Sequence, residues 1–478
     1  MSGTAVQRDG QPPLARIRDR IEAFASQYPA RFAIAVFASL NIIWTLLFMT
    51  PLATRGDEPP ASFIDALFTA VSVICVTGLT TVDMATHWSP FGNALVLVGV
   101  QVGGIGVLTL ASLLGMTVAR RLGLKQRLMA AGDTNPSRVR RGVVKEGQAI
   151  RLGDVGGLLR IIAISVLTIE AVLIVLLLPR ILLQGVPFWD ALYQSVYYAF
   201  MAFTNSGFIP TTEGLTPYAS DPWFLGVIMI GVFMGALGFP VYFVLLRNLK
   251  QPRLWSLHVK LTIFGSLGLF LLGALAYLAL EWGNRASWGD ADPGQQILQA
   301  MFMSTMSRSG GFAVHDLSQL NNSSLLVTDM LMFIGGGSAS TAGGVKVTTI
   351  MILFLAAIAE ARGRTSMEAF GRRVPSDVLR LAVSVVLWGA TIVAVSTIVL
   401  LQITHEPLDY VLFDVISAFA TCGLSTGFTH GDLPWAAKAV LAATMFVGRI
   451  GSVTLAAALA ASQTQQLFTR PEERPIVG

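Results

Sequence analysis

The sequence predicts an all-α polytopic membrane protein. It is expected to hold four tandem units of span, pore helix, loop and span, in pseudo-fourfold arrangement around one pore. Three observations carry that expectation. The 478-residue chain is 53% apolar and only 13% charged, where a soluble domain carries about 25% charge. Four apolar stretches each break at a short glycine-centred loop and then resume. The charges also segregate: 25 of the 33 Lys and Arg fall in 1–31, 119–155, 246–260, 359–380 and 462–478, and 3 fall in 53–90, 184–222, 282–324 and 405–433, which hold the glycine loops.

The elements follow in order. Unit 1 covers 31–118, with spans at 31–52 and 91–118 around a short helix at 62–74. Unit 2 covers 155–248, with spans at 155–183 and 223–248 and a short helix at 189–203. Unit 3 covers 249–358, with spans at 257–281 and 325–358 and a short helix at 295–307. Unit 4 covers 379–461, with spans at 379–404 and 435–461 and a short helix at 409–420. The long stretches reach the roughly 20 apolar residues that cross a bilayer, and the short helices do not. The remainder comprises a tail (1–30), a basic loop (119–154), a second loop (359–378) and a C-terminal tail (462–478). Residues 1–30 carry Arg8, Arg16, Arg18 and Arg20 and no apolar core, so they do not read as a cleavable signal peptide.

Loops rich in Lys and Arg stay in the cytoplasm. Both termini are therefore expected inside the cell membrane, and the glycine loops outside. The acidic outer segments would concentrate cations. The net charge of +5 is spread over membrane-flanking segments, so the bilayer is the expected partner and nucleic acid is not.

The loops read Cys75-Val76-Thr77-Gly78-Leu79, Thr204-Asn205-Ser206-Gly207-Phe208, Arg308-Ser309-Gly310-Gly311-Phe312 and Ala420-Thr421-Cys422-Gly423-Leu424. Irregular backbone at membrane depth survives only when buried in protein or lining water. Four such loops can close into a ring of carbonyls that replaces the water shell of a monovalent cation. An aromatic stands ten residues before three of the glycines (Phe68, Tyr197, Phe413) and nine before the other (Phe302). Six residues before them stand Ser72, Met201, Thr305 and Ser417. Downstream, glycine-led runs begin at Gly103, Gly235, Gly343 and Gly448, in the four second spans. Repetition at similar offsets outweighs any single glycine motif.

Two charges interrupt this downstream repeat, Lys346 and Arg449. A charge inside a span costs about 2.5–3.5 kcal/mol on insertion scales and usually faces a cavity or partner. Snorkelling to the interface is the competing reading. The run Gly335-Gly336-Gly337-Ser338-Ala339-Ser340-Thr341-Ala342-Gly343-Gly344 breaks the second span of unit 3. Glycine costs about 1 kcal/mol per helical position against alanine, so an unwound segment is expected there. A movable gate fits it better than a packing kink. The gate set is Gly335, Gly336, Gly337, Ser338, Ser340, Thr341, Gly343, Gly344, Lys346 and Arg449.

Cys75 and Cys422 sit inside loops and read as packing residues. His87, His258, His315, His405 and His430 are scattered and read as solvated; Glu170 and Asp329 read as buried hydrogen-bonding groups. No HExxH or GxSxG stands in the chain, which disfavours a membrane enzyme. A secondary transporter of a small polar solute, with a midplane site, is the alternative; the loops offer mostly backbone and small side chains, which weighs against it.

With these motifs together, the sequence resembles the Trk/Ktr/HKT superfamily of potassium transporters over nearly all of the chain after residue 30. Eight spans make it most like the Ktr-type ion-conducting subunit. The resemblance implies potassium as the transported ion, sodium as an activator, and no covalently bound cofactor. It implies a homodimer and a cytosolic RCK-type nucleotide-binding regulatory ring. It also implies potassium at backbone carbonyls of Val76, Thr77, Gly78, Asn205, Ser206, Gly207, Ser309, Gly310, Gly311, Thr421, Cys422 and Gly423. Gly78, where sodium-transporting plant members carry serine, favours potassium. Gly310, where alanine is expected, departs from the pattern.

Overall fold

A computed structural model describes residues 29–56, 59–121, 152–364 and 366–461. The expected tails and most of the basic loop lie outside the described residues. The first long helices are α1 (Pro29–Phe48), α4 (Leu152–Leu182), α8 (Leu257–Glu281) and α12 (Ser376–Thr404). Short helices follow: α2 (Phe63–Ile74), α5 (Phe188–Thr204), α9 (Pro293–Met306) and α13 (Leu408–Ala420). The returning helices are α3 (Pro90–Arg121), α6 (Pro222–Leu237) with α7 (Phe239–Asn248), α10 (Asn322–Phe333) with α11 (Val347–Ala361), and α14 (Trp435–Ala461). Among the described residues, α8, α12 and the Arg160–Leu182 part of α4 are long and apolar enough to cross a membrane.

Local chemistry places the helix starts. Ser62 caps α2 by accepting from the Asp65 amide, and Ser256 caps α8 by accepting from Val259. Asp221 caps α6 through the amides of Trp223 and Phe224, with Pro222 pre-set for the first turn. The same carboxylate pairs with Arg180, near the end of α4, and so fastens the two long helices of unit 2.

Outside and inside are reversed relative to a soluble protein. Leu267, Leu271 and Leu275 of α8 are exposed, as are Leu387, Trp388, Val395 and Ile398 of α12. Such a belt is stable only against hydrocarbon. Ser72, Thr77, Asn205, Ser206, Ser309, Ser417 and Thr421 are fully buried. The aromatics Phe68, Tyr197, Phe302 and Phe413 are buried as well, one in each short helix. Truncating such a ring to alanine costs about 3–5 kcal/mol.

The units pack in sequence, and the last packs on the first. Each returning helix touches the short helix of the next unit: α3 with α5, α6 with α9, α10 with α13, and α14 with α2. A polar link joins each neighbouring pair. Gln101 donates to Glu170 at 2.5 Å. Gln299 reaches the Ala219 carbonyl. Ser309 Oγ donates to the Thr421 carbonyl at 3.1 Å. Lys438 Nζ lies 2.6 Å from Asp65 Oδ1.

Two expectations need correction. The second span of unit 2 is not continuous: α6 ends at Gly238, whose φ is +88°, and α7 restarts with Pro240 in its first turn. The loop at 359–378, given no elements in the sequence reading, holds structure after α11. It forms a two-stranded hairpin, β1 (Met367–Ala369) with β2 (Arg372–Val374). One smaller reading also fails, since His87 is buried edge-on against Trp88 rather than solvated.

Candidate functional site

Each short helix ends at its glycine loop, and the four loops share one backbone geometry. Gly78, Gly207, Gly311 and Gly423 have φ of +100°, +70°, +75° and +95°. The residue two places earlier is left-handed in every case: Val76 at +56°, Asn205 at +61°, Ser309 at +76° and Thr421 at +46°. For β-branched Val76 and Thr421 this conformation is costly, on the order of 1–3 kcal/mol each. The surrounding contacts must enforce it.

The loops meet. A Cβ on Gly78 would fall 1.7 Å from the Ser206 carbonyl oxygen and 3.3 Å from Gly423 Cα. One on Gly207 would fall 2.5 Å from Gly311 Cα, and one on Gly311 would fall 2.5 Å from the Cys422 oxygen. One on Gly423 would fall 2.3 Å from the Thr77 oxygen and 3.1 Å from Gly78 Cα. Side chains are thereby excluded, and backbone carbonyls from all four loops crowd one place. The C-terminal ends of four helices, each carrying a partial negative charge, point to it.

One internal hydrogen bond recurs. Thr77 N–H donates to the Ser72 carbonyl at 2.7 Å, Ser206 to Met201 at 3.1 Å and Cys422 to Ser417 at 2.8 Å. In unit 3 the equivalent bond runs from Gly310 to Met306, at 2.8 Å. Met306, not Thr305, is therefore the counterpart of Ser72, Met201 and Ser417. This also explains why Phe302 stands one residue closer to its glycine. In units 1 and 4 the serine hydroxyl accepts from the loop glycine as well, Ser72 from Gly78 and Ser417 from Gly423, both at 3.1 Å. Both cysteines are buried and free, and Cys422 Sγ lies 3.4 Å from the Met306 carbonyl.

The glycine run 335–344 lies against these loops. Its ends form a parallel bridge between Ile334 and Val345. Gly337 N–H donates to Ala236, Thr341 N–H to Gly235, and Phe239 N–H to Ala339. The unwound segment of unit 3 is thus bonded to the break in unit 2. Gly343 N–H donates to Ser309 Oγ at 3.2 Å. Gly335, Gly336 and Gly344 are buried, as are Gly337, Ser340 and Thr341, while Ser338 is partly exposed. Ser338 shares a hydrogen bond with Thr348.

Thr341 touches elements from the other three units. Its Oγ1 donates to the Phe203 carbonyl at 3.1 Å. Its carbonyl accepts from Arg449 at 2.5 Å, and its methyl lies beside Gly104. Arg449 is 3% exposed and also reaches Thr421 Oγ1 at 3.5 Å, so it does not snorkel. Lys346 turns back onto the Ala342 carbonyl at 2.6 Å.

Several residues escaped the sequence reading. Arg308 is buried and donates to the Ser266 carbonyl at 2.8 Å and to Ser266 Oγ at 3.1 Å. Asp414 is buried and accepts from Ser425, Thr426 and Thr429, which fixes the chain leaving the fourth loop. The Ser and Thr run after Gly423 was the available signal. Asp65 gathers Ser62, Thr81 and Lys438. Glu170 is held by Gln101, and among the described residues its Oε2 and Asp329 Oδ1 are unpartnered.

The fold and the loops define a helical membrane protein with buried backbone oxygens gathered from four repeated elements. Residues 19–468 match the family model described as TrkH, cation transport protein, and the chain belongs to that family. It is 31% identical to Ktr system potassium uptake protein B of Bacillus subtilis, over 92% of this chain and 94% of the relative. It is 33% identical to protein D of the Ktr system of the same organism, over 93% and 96%. Identity to the potassium/sodium uptake protein NtpJ of Enterococcus hirae is 28%, over 97% and 99%. The solved structure of the potassium transporter TrkH from Vibrio parahaemolyticus superposes with a TM-score of 0.67 at 19% identity, covering 89% of this chain and 83% of that one.

Proposed function

We propose that this chain takes up potassium across the cell membrane through one pore on a pseudo-fourfold axis between its four units. The observation that carries the reading is the repeated left-handed pair, at each loop glycine and two residues before it, in four loops whose glycines are neighbours. Carbonyls of 76–78, 205–207, 309–311 and 421–423 replace the water around the ion. An oxygen cage without a fixed countercharge lets the ion bind and still leave. The names of the Bacillus relatives support potassium, and the Enterococcus name makes sodium the competitor to test.

The run 335–344 closes the path on the far side of the loops from the acidic outer segments. Arg449 holds it shut by binding the Thr341 carbonyl while placing a fixed cation below the loops. The membrane potential drives entry, at about 2.3 kcal/mol per charge per 100 mV. Both termini are cytoplasmic in this reading. The protein works as a homodimer with a cytosolic RCK-type ring that biases the gate, and sodium activates it.

The test is uptake of labelled rubidium into proteoliposomes, competed by potassium and by sodium. Potassium is expected to compete far better. Equal competition removes the selectivity claim, and absence of cation flux removes the pore.

A further inference from the structure

The hairpin between α11 and α12 takes no part in the loop chemistry. Met367 pairs with Val374 and Ala369 with Arg372. The two-residue tip is Phe370-Gly371, with φ of +51° and +73°. Two left-handed residues make the tight turn that matches strand twist. Glycine suits that turn, whereas a bulky ring in this conformation is a costly outlier. Phe370 is therefore held there by what its ring touches.

That ring lies 5.5 Å from Phe264, with 23° between the planes, and Lys260 Nζ stands 5.6 Å from its centroid. Phe264 is 51% exposed, on the same outward stripe of α8 as Leu267, Leu271 and Leu275. Helix α8 is long and apolar enough to cross a bilayer, so the medium outside that stripe is lipid. Phe264 is seven residues into α8, about 10 Å along its axis. That depth suits the boundary between headgroups and acyl chains. The tip, itself 49% exposed, rests on the lipid-facing surface at that boundary. Arg362, Arg364 and Arg373 flank it, are exposed, and make no ion pair among the described residues. The acidic neighbours are Glu360, Glu368 and Asp377; Glu368 is engaged by Ser366 and Asp377 by the Val378 amide.

We propose that this hairpin binds the anionic headgroup of a phospholipid. Phe370 sets the depth, and Lys260, Arg362, Arg364 and Arg373 receive the phosphate. Guanidinium matches phosphate oxygens two at a time, and aromatic rings favour the interface. A lipid is the occupant because the ring is seated on the lipid-facing side of α8, where a soluble protein has no access. The inference rests on α8 crossing the membrane and is independent of the carbonyl pore.

The test compares thermal unfolding in vesicles of phosphatidylcholine alone and with one quarter phosphatidylglycerol. Wild type is expected to unfold several degrees higher with phosphatidylglycerol and to retain that lipid in native mass spectrometry. The triple variant Arg362→Gln, Arg364→Gln, Arg373→Gln is expected to lose both effects while taking up rubidium normally in phosphatidylcholine. The Arg→Lys triple should keep the part of the shift due to charge and lose the part due to paired guanidinium contacts, which separates charge from misfolding. An equal shift in wild type and the glutamine triple overturns the proposal. So does a glutamine triple that keeps its lipid and loses only a soluble protein partner. Absence of rubidium flux in wild type counts against the pore alone, because lipid retention is read separately.

Discussion

The second spans of units 1 and 4 stay helical, and those of units 2 and 3 break. Glycine content does not explain the difference. Helix α3 runs through Gly103, Gly104 and Gly106, and α14 through Gly448 and Gly451. In three units one of these glycines has the same task. A Cβ on Gly103 would fall 2.2 Å from the Ile74 oxygen, one on Gly235 1.9 Å from the Phe203 oxygen, and one on Gly448 1.9 Å from the Phe419 oxygen. Each lets a returning helix touch the end of its own short helix. Unit 3 has no helix there; Gly343 instead meets Ala420 and Thr421 of unit 4. A helix breaks where its freed backbone groups find other partners. The two broken spans supply such partners to each other, and the intact α14 adds the Arg449 guanidinium at the Thr341 carbonyl.

On the proposed function, the breaks are the movable part and the intact spans the frame. The largest effect is expected from Gly78→Ser, because the new Cβ must displace the Ser206 carbonyl. Rubidium uptake, or its preference over sodium, should fall by about tenfold or more, since on the proposed function a wall of the filter has moved. An unaltered competition profile would remove Gly78 from the site. Next comes deletion of 336–340, which should raise regulator-independent uptake severalfold; unchanged flux would leave the run as a packing element.

Gly238→Ala sharpens the contrast. Its Cβ would lie 2.5 Å from the Ser338 oxygen, at a φ of +88°. With ψ at 151° this backbone region is essentially restricted to glycine, so the strain is on the order of 1–3 kcal/mol, and uptake should change severalfold with selectivity intact. Gly104→Ala in the unbroken α3 meets Thr204 Cγ2 at 3.4 Å and Thr341 Cγ2 at 3.9 Å, both ordinary contacts, and should leave flux within about twofold. Equal damage from both would collapse the distinction between frame and moving part.

Ser72→Ala and Ser417→Ala each remove one bond to a loop glycine and should cost about 1 kcal/mol, read as a lower unfolding temperature. The smallest effect concerns pH. Burial raises the Asp65 carboxyl, but hydrogen bonds from Lys438, Ser62 and Thr81 outweigh it, so the group sits below its ordinary 3.8. Between the native and unfolded values the unfolded chain binds more protons. The link between units 4 and 1 is therefore intact at neutral pH and lost as pH falls below that ordinary value. Lys438→Met should flatten this acid dependence of the unfolding temperature; an identical slope would free the pair of that role.

Much of the site was written locally. The loop glycines, the buried aromatics and the unwound run were legible because hydropathy, spacing and glycine cost act over a few residues. Thr305 was misassigned because the stretch from the third short helix to its loop glycine is one residue shorter, as the Gly310–Met306 bond and the offset of Phe302 show. The break at Gly238 was hidden because an isolated Gly and a Pro two places on are each tolerated inside a membrane helix.

The sequence by itself determined that this chain is a helical membrane protein with four short glycine loops, since apolar length and glycine placement are properties of the chain alone. Only the tertiary structure decided which carbonyls meet, that Thr341 lies against Phe203, Gly104 and Arg449, and that Arg449 turns inward to it. Those outcomes depend on partners more than a hundred residues apart, whose pairing no local pattern encodes.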